Sequence, residues 1–350
     1  MKKLFVIFTT PLGDTTFLCV SIIKQKENNM IETFTKILNE KTKKMGIRTA
    51  AIMSDLLNIS EDAAYRRIRN PQAFRADEMI KLAREFDIDL NQFSDVNETY
   101  SRVQLKELNF ENYTYNHFYK ELELLVDRCK FLPHSQISYG AKEIPFFYYQ
   151  WFPSLSSFKN FIWNREFLKD PALINKPFEK TTSLESPFVR LAEKYTQVVS
   201  HEIWGYETLF STLYQIKHYK ECGMFESDDG YRKVLGEYDQ LIELIFKQAE
   251  EGRKLNPYIP NYKGSRFKLY FTPMITADNS MIFHTIKDKS AVICSQMSGV
   301  VISDTPHWVL STENWLNTCK ENGTLLSKTG NHHRIKLQQE YQLKKQMLGM

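Results

Sequence analysis

The stretch that decides the reading is Ala51-Ile-Met-Ser-Asp-Leu-Leu-Asn-Ile-Ser-Glu-Asp-Ala-Ala-Tyr-Arg-Arg-Ile-Arg69. Met53, Leu56 and Leu57 share one face of a short helix over Thr49–Leu57. Asn58-Ile59-Ser60 breaks it, and a second helix is expected from Glu61 to Arg69. Ser60 suits the N-cap, because its hydroxyl can accept from the free amides of the first turn. Glu61 and Asp62 then stand where the helix dipole favours acids. Ala64 and Ile68, four apart, turn inward, leaving Tyr65, Arg66 and Arg69 outward and Arg67 at the margin.

The same pattern extends on both sides. Upstream, Ile31, Phe34, Leu38 and Met45 form one apolar stripe on a helix that Gly46 ends. Downstream, Pro71 stops the chain's helix, and Met79, Leu82, Ala83 and Phe86 define another before Leu90 and Phe93 close the unit. Two short helices joined by a three-residue turn, inside a five-helix bundle over residues 30–97, describe a helix-turn-helix unit.

On these residues the segment 48–94 resembles the DNA-binding domains of the lambda-repressor-like (Cro-like) superfamily. Ile59-Ser60 followed by Ala63-Ala64-Tyr65-Arg66-Arg67-Ile68-Arg69 is similar to multi-domain regulators common in Bacteroidetes. Two positions depart from that pattern: Asn58 stands where the turn usually has Gly, and Glu61-Asp62 where the recognition helix usually opens with a neutral polar residue. Asn tolerates a left-handed backbone better than most side chains do. Two carboxylates near phosphates cost binding energy unless they read cytosine amino groups or point away.

The resemblance implies that the helix carrying Tyr65 and Arg66 enters the major groove, where an Arg can pair bidentately with guanine. Arg48, Thr49, Arg67 and Arg69 are expected at phosphates, which set register without reading sequence. Ser60 and Glu61 complete the expected DNA-binding set. Charge agrees. Between Lys41 and Arg84 ten basic residues face five acids, a surplus of five in a chain whose total is +4, so the remainder carries −1. The bland alternative is a solvated arginine face packed against other protein.

The first 29 residues are a separate matter. Met1-Lys2-Lys3 before Leu4–Phe8 imitates a secretory signal, but Pro11, Gly13 and Asp14 interrupt the apolar run and no small-x-small site follows. Asp14 would also sit near the middle of any membrane span. The reading preferred here is an extension, unstructured or outside the functional chain, ahead of a working start at Met30. Five scattered cysteines without a C-x-x-C suggest reduced thiols in a cytoplasmic protein rather than zinc ligands or disulfides.

Beyond a polar linker over residues 98–112, residues 113–350 read as a dimerisation or sensor domain. A helix is expected over Tyr115–Phe131, then a short extended segment over Ser135–Pro145. Six of the seven residues Phe146–Phe152 are aromatic, which fits a buried core segment, a dimer interface or a ligand-pocket wall. Residues 154–252 read as helices. Ser186-Pro187 caps one that continues through Val199, Trp204 and Ile216 to Gly223, and another covers Tyr231–Glu251. From Phe267 the period falls to two, marking short strands at Phe267–Phe271, Met281–Ile286, Ala291–Ser295 and Val300–Ser303. A helix after Ser311 and another over His333–Met347 finish the chain.

The fold class expected is therefore mainly α: a five-helix helix-turn-helix bundle, then a larger helical domain ending in a small, mostly antiparallel α+β sheet region. His201-Glu202 opens like a zinc-helix motif but has Gly at 205. His284, Asp304 and His307 are weak candidates for catalysis. No enzyme, cofactor or metal is expected. The functional expectation is a one-component, sequence-specific transcriptional regulator that binds double-stranded DNA as a homodimer. A small-molecule or protein effector would act at its C-terminal domain, and the membrane would play no part. The alternative is an interaction module whose degenerate helix-turn-helix holds protein instead, which Glu61-Asp62 favours.

Overall fold

The computed structural model describes residues 31–43, 45–69, 74–86, 88, 90, 115–131, 134–179, 189–273, 278–285, 289–295 and 299–350. The chain divides into two compact units, Met1–Tyr100 and Ser101–Met350. The extension, the linker, Phe93 and the Ser186-Pro187 cap lie outside the described residues.

In the first unit, α1 covers residues 31–43. It is followed by α2 (Thr49–Leu57), α3 (Glu61–Arg69) and α4 (Ala76–Glu85). The expected fifth helix falls outside the described residues. Phe34, Leu38, Met53, Ala64, Leu82, Ala83, Phe86 and Ile88 form one buried core, with Leu56, Leu57, Ile68, Met79 and Leu90 packed on its margin. The spacing located this core with two errors: Ile31 is only half-buried and stands outside it, and Met45 is 60% exposed. It lies past the end of α1, in the turn that leads to the left-handed Gly46, so the helical stripe no longer applies.

The second unit corrects the expected fold class. It holds a seven-stranded mixed sheet that runs through the whole unit, not a small region at its end. Its elements begin with α5 (Tyr115–Phe131), β1 (Gln136–Ala141), α6 (Phe146–Tyr149) and α7 (Pro153–Ile162), which runs on as a π-helical turn over Trp163–Phe167. Next come α8 (Val189–Thr196), β2 (Val199–Trp204), α9 (Tyr206–Glu221), α10 (Asp228–Glu251) and β3 (Phe267–Phe271). The chain closes with β4 (Asn279–His284), β5 (Lys289–Ser295), β6 (Gly299–Ser303), α11 (Pro306–Glu321), β7 (Thr324–Leu325) and α12 (Asn331–Met347).

The strand order is β6-β5-β4-β1-β2-β3-β7, with β1, β2 and β3 parallel and the other pairs antiparallel. The expectation of a mostly antiparallel sheet overlooked that central group. β1 is buried at five of its six positions, so it lacks the alternation that betrays a half-exposed strand. β2 lies where one continuous helix was expected, with Val199 and Trp204 at its two ends. α11 likewise begins earlier than expected, with Pro306 in its first turn.

Register sorts the sheet into two faces. Ile137, Tyr139, Phe267, Leu269, Met281, Phe283 and Val292 join a large core with the aromatic segment Phe147–Phe152 and with α5, α7, α9 and α10. Phe158 of α7 is fully buried there, stacked on Phe225 and edge-on to Phe178 and Tyr219. On the other face Ile203, Ile282 and Ala291 pack under Val309, Leu316 and Cys319 of α11. Of the readings for Phe146–Phe152, the structure realises the buried core segment: Phe147, Tyr148, Tyr149, Trp151 and Phe152 are all buried.

A charged group lies within the larger core. Glu202 of β2 is fully buried, and its Oε1 accepts from the Tyr148 hydroxyl at 2.7 Å, the Tyr195 hydroxyl at 2.6 Å and Ser200 Oγ at 3.1 Å. Its Oε2 accepts from Trp204 Nε1 at 3.2 Å. The Lys254 ammonium, also fully buried, donates to the Tyr195 carbonyl at 2.9 Å and lies over the Tyr195 ring. Burial holds Lys254 well below its ordinary pKa, against the opposing pull of Glu202. Among the described residues, no helix is long and apolar enough to cross a membrane.

Candidate nucleic-acid interface

The turn between α2 and α3 is built locally. Asn58 takes the left-handed conformation (φ 52°, ψ 50°) that the turn requires, and its amide donates to the Ser54 carbonyl. Ser54 Oγ reaches across the turn to the Ile59 carbonyl at 2.6 Å. Ser60 Oγ then accepts from the Ala63 amide at 3.2 Å, capping α3. Ser60 is thus occupied by the fold, though it remains exposed.

Ala64 is buried without residual exposure, which fixes the rotation of α3. Glu61, Asp62, Tyr65, Arg66 and Arg69 consequently lie on the solvent side. The Arg69 guanidinium stands 5.9 Å from the Tyr65 ring centroid, close enough for a cation–π contact. Arg66 makes no ion pair among the described residues.

Further residues of the expected set are engaged within the fold. Arg67 donates to both Glu78 oxygens, at 2.8 and 2.7 Å, and to the Ala63 carbonyl at 3.3 Å. Its side chain is only 18% exposed, so the phosphate role expected for it is corrected: Arg67 ties α3 to α4. Sequence spacing could not reveal this, because Glu78 lies beyond Pro71, on another helix. Thr49 Oγ1 shares a hydrogen bond with Thr42 Oγ1 at 2.7 Å and joins α2 to α1. Arg48 lies 3.4 Å from Glu61, an exposed pair of little energetic weight that brings one cation beside one of the two acids.

The Arg67 hydrogen bonds hold the Glu78 carboxyl below its usual range, with help from the Arg75 amide at 3.0 Å. A depressed carboxylate stabilises the folded state fully above its ordinary pKa of about 4.3 and loses that contribution as pH falls through the lowered value. Replacing Glu78 with Gln is therefore expected to cost the first unit about 1–2 kcal/mol at pH 7. Hydrogen–deuterium exchange of the α3 and α4 amides in the whole chain should show that difference, and it should close on acidification. A difference that stays constant down to pH 2 would mean the ion pair is not its source.

The weaker sequence candidates in the second unit are not assembled into a centre. His201 and Glu202 are successive strand residues on opposite faces of the sheet. His284 Nε2 lies 3.5 Å from Ser138 Oγ, and His284 Nδ1 lies 3.9 Å from Glu313 Oε1. The first contact is marginal and the second is beyond hydrogen-bond reach, while Ser138 is buried mid-strand. Asp304 and His307 lie exposed on the entry to α11. Among the described residues no three His, Cys, Asp or Glu side chains gather as a metal site. Comparison of the chain with protein-family models, with curated proteins and with solved structures finds no match.

Proposed function

We propose that this chain is a cytoplasmic, sequence-specific DNA-binding transcriptional regulator of the Cro-like helix-turn-helix kind, acting as a homodimer. The observation that carries the reading is the solvent face of α3, where Tyr65, Arg66 and Arg69 stand together on a helix locked by Ala64 and Ser60. Such a rod fits the major groove, with Arg66 at base edges and Arg69 and Arg48 at phosphates. A dimer would place two copies on half-sites about one helical turn apart. The second unit would supply the dimer contact and the response to an effector.

Titration onto random duplex at two salt concentrations tests this. With about four phosphates neutralised per protomer, log affinity should fall against log salt with a slope of roughly −3 to −4 for each protomer. The second reading, a protein-holding module, draws on the exposed Glu61 and Asp62 at the head of α3. A slope near zero would favour it and sink the DNA reading.

A further inference from the structure

The α11-covered face of the sheet changes character toward the starting ends of the parallel strands. Under α11 it is apolar at Ile203, Ile282 and Ala291, but toward those ends it becomes polar: Ser138, His201 and Lys268 stand level with Ile282, and Gln136, Val199 and His284 form the next row, with Arg266 just ahead of β3. Ser138, His201 and Lys268 are register partners on β1, β2 and β3, so they stand side by side at roughly 4.8 Å strand spacing. Lys320, near the end of α11, adds its charge to the field at His201.

At the outer edge lies a cavity of about 290 Å3. Its lining includes Lys130, His134, Gln136, Gln197 and Arg266, and no Asp or Glu. Among the described residues, no carboxylate lies within ion-pair distance of Arg266, Lys268 or Lys320. The acid nearest His284 is Glu313, which Lys289 already holds at 2.8 Å.

Helix ends explain part of this charge. Lys130 and Lys320 sit in the last turns of α5 and α11, where a cation answers the helix dipole. Arg266 and Lys268 have no such excuse: they stand just before and within β3, their side chains exposed. Burial and the surrounding cations push His201 down to about 4, so near neutrality its imidazole is uncharged and can donate one N–H. The side-chain amides of Gln136 and Gln197 make no hydrogen bond among the described residues.

We propose that this end of the sheet binds a small molecule bearing a compact anionic group, phosphate or carboxylate. Arg266 in the cavity lining and Lys268 two residues along the same strand supply the charge; Gln136 and Gln197 of the lining, with His201 beside Lys268, supply neutral donors. The cavity volume limits the ligand to metabolite size. The site does not depend on the DNA-binding reading, and it can be tested without DNA.

The test is calorimetric titration of the whole chain with inorganic phosphate, and separately with acetate, at fixed ionic strength. Saturable binding of phosphate alone would assign a phosphate group, and saturable binding of acetate a carboxylate. Arg266→Gln and Lys268→Gln should each weaken binding about tenfold or more, the loss expected for one charge-assisted hydrogen bond. Lys247→Gln, an exposed lysine on α10, should leave it unchanged, separating a site from a general charge effect. Both test side chains are exposed, so the circular dichroism melting midpoint should stay put. No saturable heat with either anion, or equal binding by the Arg266→Gln/Lys268→Gln double variant, would overturn the proposal.

Discussion

Glu202→Ala should lower the stability of the second unit by about 3–5 kcal/mol, because removing one partner of a buried charged network leaves the others buried and unpaired. Four donors now converge on this carboxylate, from Tyr148, Tyr195, Ser200 and Trp204. Its charge also opposes the desolvation that depresses Lys254. Glu202→Gln should cost less, because an amide oxygen can still accept from the tyrosines while its NH2 confronts the Trp204 indole. All five tryptophans of the chain lie between 151 and 315, within the second unit. Tryptophan fluorescence in urea therefore follows this unit, and its midpoint should fall by about 1–2 M for the alanine variant. A shift worth less than about 1 kcal/mol would show that water or a shifted protonation satisfies the donors instead.

The second large effect separates three arginines of one helix. On a duplex selected from a random pool, Arg66→Ala should lose about 1–3 kcal/mol of discrimination at a single base position. Arg69→Ala should weaken binding evenly across sequences and reduce the salt slope by about one. Arg67→Ala should leave the slope alone and loosen the first unit, because its partner is Glu78 rather than phosphate. Fluorescence anisotropy on selected and random duplexes at two salt concentrations reads all three. Equal losses on every duplex for Arg66→Ala would make it a phosphate ligand, and an unchanged affinity would remove α3 from the interface.

The contrast between the units shows what can be read from a single chain. In the first, local rules suffice: Ser60 as cap, Asn58 as the left-handed corner and Ala64 as the buried index of rotation all came from neighbours in sequence. What failed there was the long-range pairing of Arg67, and the stripe through Met45 that ran past its helix. In the second unit the helices α5, α10 and α12 were legible from period and caps, as was β3 from its alternation. β2 was not, because a central parallel strand draws its partners from distant segments and is buried on both sides. The polar end of the sheet was invisible for the same reason: Ser138, His201 and Lys268 become neighbours only through strand register.

That register also sets the order of events on the ribosome. Each turn of the first unit closes over a few residues, so it can fold as soon as it emerges. β1 must wait longer, and its two edges wait unequally: His201, its β2 partner at Ser138, follows by 63 residues, whereas Ile282, its β4 partner there, follows by 144. At roughly 5–20 residues per second the β4 edge of this central strand stays open for about 7–30 s. Nascent chains stalled between β1 and β4 are thus the stage at which a chaperone has most to protect.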